Sequence, residues 1–443
     1  MKNARKVAVD IVNQVLEKGA YSNIALSNEL NKSNLEDKDR GLVTEIVYGT
    51  IKYKYTIDKI INYFVAQGIK KIDGYILNLL RISIYQIRYL ERIPEFAAVN
   101  EAVKIAKKYR SEKSSKFVNG VLRNYLRNKE ADFIKSSDEI AKLCFQHSYD
   151  PWMVKLFIKQ YGRERALEIL KGLNETPDVT VRVNNLKGNY EDVLQKLSDL
   201  GYEVREGYIC PEAIKIEKGK NIEKNPLFSE GYFTVQDESA MLVAPAMEIE
   251  EEMNIIDLCS APGGKATHMG ELLNNTGELI ACDIHENKIS LIKENVERLG
   301  LRNIKYKTLD ASKFDENFEN RFDRVLIDVP CSGIGIIRKK PEIKWSKDNN
   351  QLDRIVKIQR DIMDNASRYV KNGGILLYST CTINKGENET NIDWFLKNHK
   401  DYNLEKIFYG PADNLIYNTQ GSVTIIPNKY MDGFFIAKLR RQW

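Results

Sequence analysis

Apolar residues recur at helical spacing through the first 128 positions. Ala4, Val7, Ala8, Ile11 and Val15 form one stripe, and Ile76, Leu79, Leu80, Ile87 and Leu90 form another before Pro94 stops it. A further helix is predicted from Val99, with Ala102, Val103 and Ala106 on its apolar side and Lys104, Lys107, Lys108 and Arg110 opposite. Phe117, Val121, Leu122 and Tyr125 make a last stripe, with Arg123 and Arg127 off it. The expectation is an all-α bundle with at least one basic surface. Residues 129–150 are polar and read as a linker. In 151–230, a helix near Trp152–Lys171, a strand over Val179–Asn184, a helix around Tyr190–Leu200 and short strand-like stretches predict a small α+β module. From about 231 short apolar runs alternate with longer amphipathic ones. Strands are predicted at Asn254–Leu258, Leu279–Cys282, Ile304–Leu309, Arg324–Val329 and Ile375–Ser379, and helices at 264–274, 286–299, 350–370 and 386–398. Such alternation predicts a mostly parallel sheet with helices on both faces, an α/β Rossmann-like arrangement.

Length agrees with several parts. The 443 residues suggest about three domains at roughly 150 residues each. We place them at 1–130, 131–230 and 231–443. No apolar run approaches the roughly 20 residues that span a bilayer. Asp10 and Glu17 interrupt the first apolar stripe, unlike the uncharged core of a signal peptide. A cytoplasmic protein without membrane association is expected, and a monomer.

Charge divides the chain unevenly. Residues 1–130 hold 24 Lys+Arg against 14 Asp+Glu, whereas the remainder holds 43 against 48. A basic part beside a mildly acidic one points to polyanion docking, although a Lys-rich solvated helical surface has the same composition. The six cysteines, Cys144, Cys210, Cys259, Cys282, Cys331 and Cys381, include no C-x-x-C pair. Zinc spacing is absent, no metal is expected, and reduced thiols are. His147, His268, His285 and His399 show no partner pattern and read as structural or exposed.

The first strand of the third part runs into Asp257-Leu258-Cys259-Ser260-Ala261-Pro262-Gly263-Gly264-Lys265, and a helix starts at once. Small residues at the carboxyl end of a first strand let the backbone approach a ligand. A phosphate loop of the Walker type needs Gly where Cys259 stands and Ser or Thr where Ala266 stands, and no G-x-G-x-x-G occurs. Asp283, Asp310 and Asp328 close the next three strands. Asp283 lies 20 residues after Gly263, a distance suited to gripping ribose hydroxyls, and Asp310 is placed to accept from an adenine amine. One such acid alone reads equally well as a helix N-cap, whereas three beside one glycine loop describe a nucleoside site.

Cys331, in Asp328-Val329-Pro330-Cys331-Ser332-Gly333, and Cys381, in Ser379-Thr380-Cys381, follow the fourth and fifth strands. Both fall at the cofactor edge of the sheet. A buried structural thiol is the commonest fate of one cysteine, but two facing one crevice suit covalent catalysis. C5 of cytosine is too weak a nucleophile to take a methyl group unaided. Thiolate addition at C6 makes the ring enamine-like and loads C5 with electron density. A cation such as Lys265 favours the thiolate, and Asp328 is the acid placed to face N3. Arg182 and Asn184 stand where they face either RNA or plain surface.

At these residues the chain resembles the RNA 5-methylcytosine methyltransferases of the NOL1/NOP2/Sun family. The likeness covers 231–443 and rests on D-L-C-S-A-P-G-G-K, D-V-P-C-S-G-I-G, S-T-C and the D-G-F-F at Asp432–Phe435. It implies a class I S-adenosyl-L-methionine-dependent fold. The cofactor would be held by Cys259, Ser260, Ala261, Pro262, Gly263, Gly264 and Lys265 and by Asp283, Asp310 and Asp328. It further implies Cys381 as nucleophile and Cys331 as the residue assisting product release. Ala4–Ala8, Asp39–Val43 with Tyr48-Gly49, and Phe117–Arg123 resemble a NusB-type RNA-binding domain. That pairing resembles the RsmB/Sun type, whose substrate is a cytosine of 16S ribosomal RNA. Ser260 and Val329 replace a more usual Ala, and Ala266 a common Thr; none is a proposed catalytic group. Action on transfer RNA or another RNA, and a catalytically silent assembly factor, are the alternatives.

Overall fold

The computed structural model describes residues 3–443, apart from the side chains at 349 and 350. The chain divides into two compact units: residues up to Asn174 with Ile337–Ser346, and Glu175–Ile336 with Lys347–Trp443.

The first unit is helical. Its helices run Ala4–Lys18, Ser22–Lys32, Asp37–Lys52, Lys54–Phe64, Gly74–Tyr89, Glu95–Tyr109, Glu112–Arg127, Glu139–His147 and Pro151–Gly172. Gly74–Tyr89 is central, because every residue from Tyr75 to Gln86 is buried. Its polar members find partners inside. Arg81 grips Asp58 through two bonds of 2.7 and 2.9 Å, while Ser83 and Gln86 donate to carbonyls one turn back. The helix after Pro94 begins at Glu95, four residues earlier than its apolar spacing suggested.

Two local expectations fail. The stretch 129–150 is not all linker, since Glu139–His147 is a helix. Asp138 caps it, and Leu143, Cys144 and His147 form its buried face. The helix expected near Trp152–Lys171 is broken at Gly162, whose φ of 76° lies in the left-handed region.

A segment distant in sequence completes this unit. Ile337–Ser346 packs in it, with the Lys344 ammonium buried against the carbonyls of Lys52 and Ser148 at 3.1 and 3.0 Å and Asn174 Oδ1 at 2.7 Å. The Tyr149 ring lies 3.6 Å from the same Nζ. Trp345 Nε1 donates to the Ile51 carbonyl, and the Glu342 carboxylate accepts from the backbone N–H and hydroxyl of Ser22.

The second unit holds two sheets. The smaller contains β1 (Val179–Val183), β2 (Glu203–Glu206), β3 (Ala213–Lys218) and β4 (Phe233–Val235), in the antiparallel order β2-β3-β1-β4. The larger contains β5 (Asn254–Asp257), β6 (Glu278–Asp283), β7 (Ile304–Thr308), β8 (Phe322–Asp328) and β9 (Val370–Thr380). It also contains β10 (Tyr402–Glu405), β11 (Leu415–Tyr417), β12 (Val423–Ile425) and β13 (Phe434–Arg441). Its order is β11-β12-β13-β9-β8-β5-β6-β7, with β10 beside β13. The strands β9-β8-β5-β6-β7 are parallel, as the sequence predicts, and β10 to β13 add an antiparallel edge.

Both faces of the large sheet are covered, so its strands read as continuous apolar runs. Ile255, Leu326 and Leu377 feed the core on one face; Ile256, Val325, Ile327, Leu376 and Tyr378 feed the other. The parts are an all-α bundle, a small antiparallel sheet module with helices, and a mixed-sheet α/β part. Among the described residues no helix is long and apolar enough to cross a membrane.

Candidate active site

The carboxyl edge of the parallel sheet gathers most of the residues singled out from sequence. Asp257 ends β5, and the chain then turns through Leu258–Gly263 into the helix Gly264–Leu272. Ser260 N–H donates to the Cys282 carbonyl of β6 at 2.7 Å, which pins the loop to the neighbouring strand. Gly263 has a φ of 101°, and a side chain there would press on Ile292. The loop borders a crevice of about 170 Å³ lined by Asp257, Cys259, Ser260, Ala261, Pro262, Gly264, Lys265 and Asp328.

Charge in this crevice is paired. Lys265 Nζ lies 2.6 Å from Asp328 Oδ2, and Ser379 Oγ donates to Asp328 Oδ1 at 2.8 Å. Burial alone would lower the Lys265 pKa, but Asp328, with a smaller contribution from Cys381, more than offsets it and keeps the ammonium charged. Asp257 is fully enclosed; burial first, and then the Asp328 charge, push its carboxyl up to about 7.

Asp283 ends β6, is buried, and accepts from His285 N–H at 3.0 Å. Asp310 follows β7 and accepts from the hydroxyl and N–H of Ser312 at 2.6 and 3.1 Å. Those bonds hold its carboxyl below the ordinary range. The two acids sit at adjacent strand ends, where Leu309 N–H donates to the Asp283 carbonyl. Neither borders the small crevice itself.

Sheet register brings the two cysteines together. Parallel β8 and β9 pair Asp328 with Ser379, so Cys331 and Cys381 leave the sheet at the same level. Their Sγ atoms stand 3.0 Å apart. Gly335 N–H donates to the Cys381 carbonyl, and Gly433 N–H to the Gly335 carbonyl. A Cβ on Gly335 would meet the Gly433 carbonyl oxygen at 2.0 Å, so the backbones touch only because both residues are glycine. Gly433 belongs to the Asp432–Phe435 motif, whose place in the sequence gave no sign of this neighbour.

Arg182 and Asn184 do not face RNA. Both are fully buried. Asn184 bonds the carbonyls of Gly231 and Leu299, while Arg182 reaches Glu271 at 2.7 Å, the Gly264 carbonyl at 2.9 Å and Gln236 Oε1. Arginine only donates, so it fixes the Gln236 amide with its oxygen toward the guanidinium. Gln236 Nε2, buried at the crevice wall, has no protein partner. A ligand with acceptor oxygens fits this donor and the loop of small residues. His268 is buried 3.4 Å from Glu212, His147 is buried, His399 stacks on Phe395, and His285 is exposed.

The likeness to known proteins extends over the whole chain. The profile of the 16S rRNA methyltransferase RsmB/F family matches residues 244–440. The NusB family matches 2–127, and the RsmF/B-like ferredoxin-like domain matches 149–223. The chain is 38% identical to the probable ribosomal RNA small subunit methyltransferase B of Bacillus subtilis (strain 168), over 99% of both chains. It is 32% identical to the ribosomal RNA small subunit methyltransferase B of Shewanella oneidensis, again over 99% of each. The crystal structure of PH0851 superposes with a TM-score of 0.85 at 26% identity, covering 100% of this chain and 99% of that one. NSun6 from Pyrococcus horikoshii with SFG gives 0.59 at 25% identity over 65% of this chain and 97% of that one. By fold, by motif and by full-length identity the chain belongs to the 16S rRNA methyltransferase RsmB/F family.

Proposed function

We propose that this enzyme transfers a methyl group to C5 of one cytosine in 16S ribosomal RNA through a covalent adduct between Cys381 and C6. The supporting observation is the pair of sulfurs 3.0 Å apart beside a crevice holding a charged lysine. The donor, S-adenosyl-L-methionine, supplies a methyl group on sulfonium sulfur. Cys259–Lys265 would hold it, with Asp283 and Asp310 as partners for ribose and adenine, and Gln236 as one further donor.

The residues then divide the work. The Lys265 ammonium interacts with Cys381, which adds to C6 as the thiolate and makes C5 nucleophilic. Asp328, the acid facing N3, gives that nitrogen a proton as the thiolate adds, so the ring gains no net charge, and takes it back when the double bond re-forms. Once C5 is methylated, loss of its proton restores the ring double bond and expels Cys381. Cys331 assists that departure. RNA presents such a base by splaying it from a loop or flipping it from a stem. Docking of the RNA backbone falls to the basic helical part, residues 1–130, and chemistry to 231–443.

The test is a pair of variants incubated with 16S RNA and cofactor. Cys381→Ala should lose both methylation and covalent RNA capture. Cys331→Ala should accumulate the RNA–protein adduct, seen as a slow band on a denaturing gel. The opposite pattern would exchange the two roles, and no adduct in either would sink covalent catalysis.

A further inference from the structure

The functional reading leaves a buried carboxylate behind the cysteines without a role. Glu387 is fully buried, six residues after Cys381, in the turn before the helix Glu389–Asn398. One oxygen accepts from Ser332 Oγ at 2.6 Å and Asn384 Nδ2 at 3.1 Å; the other accepts from Ser332 N–H at 2.8 Å and Gln359 Nε2 at 3.2 Å. Ser332 is the neighbour of Cys331. Its hydroxyl also lies 2.8 Å from that of Thr382, the neighbour of Cys381. Gln359 bonds the Pro330 carbonyl as well, at 2.9 Å. Asn388 completes the clasp by accepting from Thr380 Oγ1 and donating to the Thr382 carbonyl. Glu387, together with Gln359 and Asn388, therefore ties residues 330–332 to residues 380–384.

Its charge also matters. The donors at Glu387 described above are amides and hydroxyls. An anion buried among them favours a neutral neighbour over a negative one. We propose that Glu387 is a positioning residue that holds Cys331 against Cys381 as a protonated thiol, whose S–H hydrogen-bonds the Cys381 sulfur as it departs as a thiolate. This rests on the covalent reading above.

The step balances. The C5–H pair forms the C5=C6 double bond and the proton goes to water. The C6–S pair returns to Cys381 sulfur, which leaves as a thiolate while the Cys331 S–H donates a hydrogen bond to it. The groups acting on Cys331 are Cys381, Glu387 and Asp328, while Lys265 acts on Cys381. The Cys381 bond first, then burial, and then the negative neighbours push the Cys331 thiol well above its ordinary pKa. Asymmetric charge thus separates two chemically identical side chains.

The test uses the full-length chain. In a Cys381→Ser background, Glu387→Gln should speed iodoacetamide alkylation of Cys331 about tenfold near neutral pH, the equivalent of one pKa unit, read by mass spectrometry of the peptide. With Cys381 present, Glu387→Gln should accumulate RNA adduct that the parent enzyme releases. Unchanged alkylation, or adduct turnover at the parental rate, overturns the proposal. Absence of adduct in the Cys331→Ala enzyme would instead overturn the covalent reading. Should Glu387→Gln not fold, Ser332→Ala keeps the charge and loosens the clasp. Diamide oxidation of the Cys331–Cys381 pair should then slow at least fivefold, and an unchanged rate overturns the proposal.

Discussion

Asp257 makes the crevice beside the Cys259–Lys265 loop, the proposed cofactor site, sensitive to pH. Its carboxyl titrates at about 7 in the folded protein and near 4 in an unfolded chain. The folded state therefore holds the proton more tightly, so this residue contributes stability below its unfolded pKa and loses it as pH rises through about 7. The ligand-free protein should melt at progressively lower temperature across that window, and Asp257→Asn should flatten the fall. A cationic cofactor works the other way, because the ionised carboxylate attracts it. Calorimetric affinity for S-adenosylmethionine should rise from pH 6 to pH 8 in the parent and stay level in Asp257→Asn. At this scale the sequence brings the proposed catalytic groups together, because strand ends place Cys331, Cys381 and Asp328 on one edge. It hides Glu387, whose meaning depends on a turn that folds back under both cysteines. It misleads at Arg182 and Asn184, since a polar residue on or next to a strand looks alike whether it meets water or buried oxygens.

Between elements, the buried Arg182 joins β1 to the helix that follows the cofactor loop. Its pair with Glu271, at 2.7 Å, is almost fully shielded from solvent. Removing one partner of such a pair leaves an uncompensated charge, at a cost of about 3–5 kcal/mol. Arg182→Met should lower stability by that order in urea denaturation. It should also weaken cofactor binding, because Gln236 loses its orienting contact. Arg182→Met with Glu271→Met should recover much of the stability but not the binding, and that split separates the two effects. The parallel strands were legible as apolar runs bounded by acids and glycines. The antiparallel edge from β10 to β13 was not, since three-residue strands such as β11 and β12 carry too little pattern to stand out. The helix Glu139–His147 escaped for a related reason: nine residues are about two and a half turns, too few for an apolar repeat to stand out after the polar stretch that precedes it.

The helical unit is assembled from chain segments far apart in sequence, and this dictates how RNA docking can be tested. Deleting residues 1–130 would strip Trp345 of its Ile51 carbonyl and the buried ammonium of Lys344 of its Lys52 carbonyl, so any loss of binding would be confounded by misfolding. Surface charge is the safer handle. The helix Glu112–Arg127 exposes Lys113, Lys116, Arg123 and Arg127 along one face, with Phe117 at its margin. Its buried face is Ser115, Val118, Val121, Leu122 and Tyr125, so alanine at the four basic positions leaves the core intact. If these cations meet phosphates, the quadruple variant should bind 16S RNA more weakly at every sequence tested. Its plot of log affinity against log salt should flatten by about 3, from roughly 0.7 per contact on single strands. Methylation at saturating RNA should persist, because the cysteines and the cofactor crevice lie in the other unit. A salt slope equal to that of the parent would move the docking surface elsewhere.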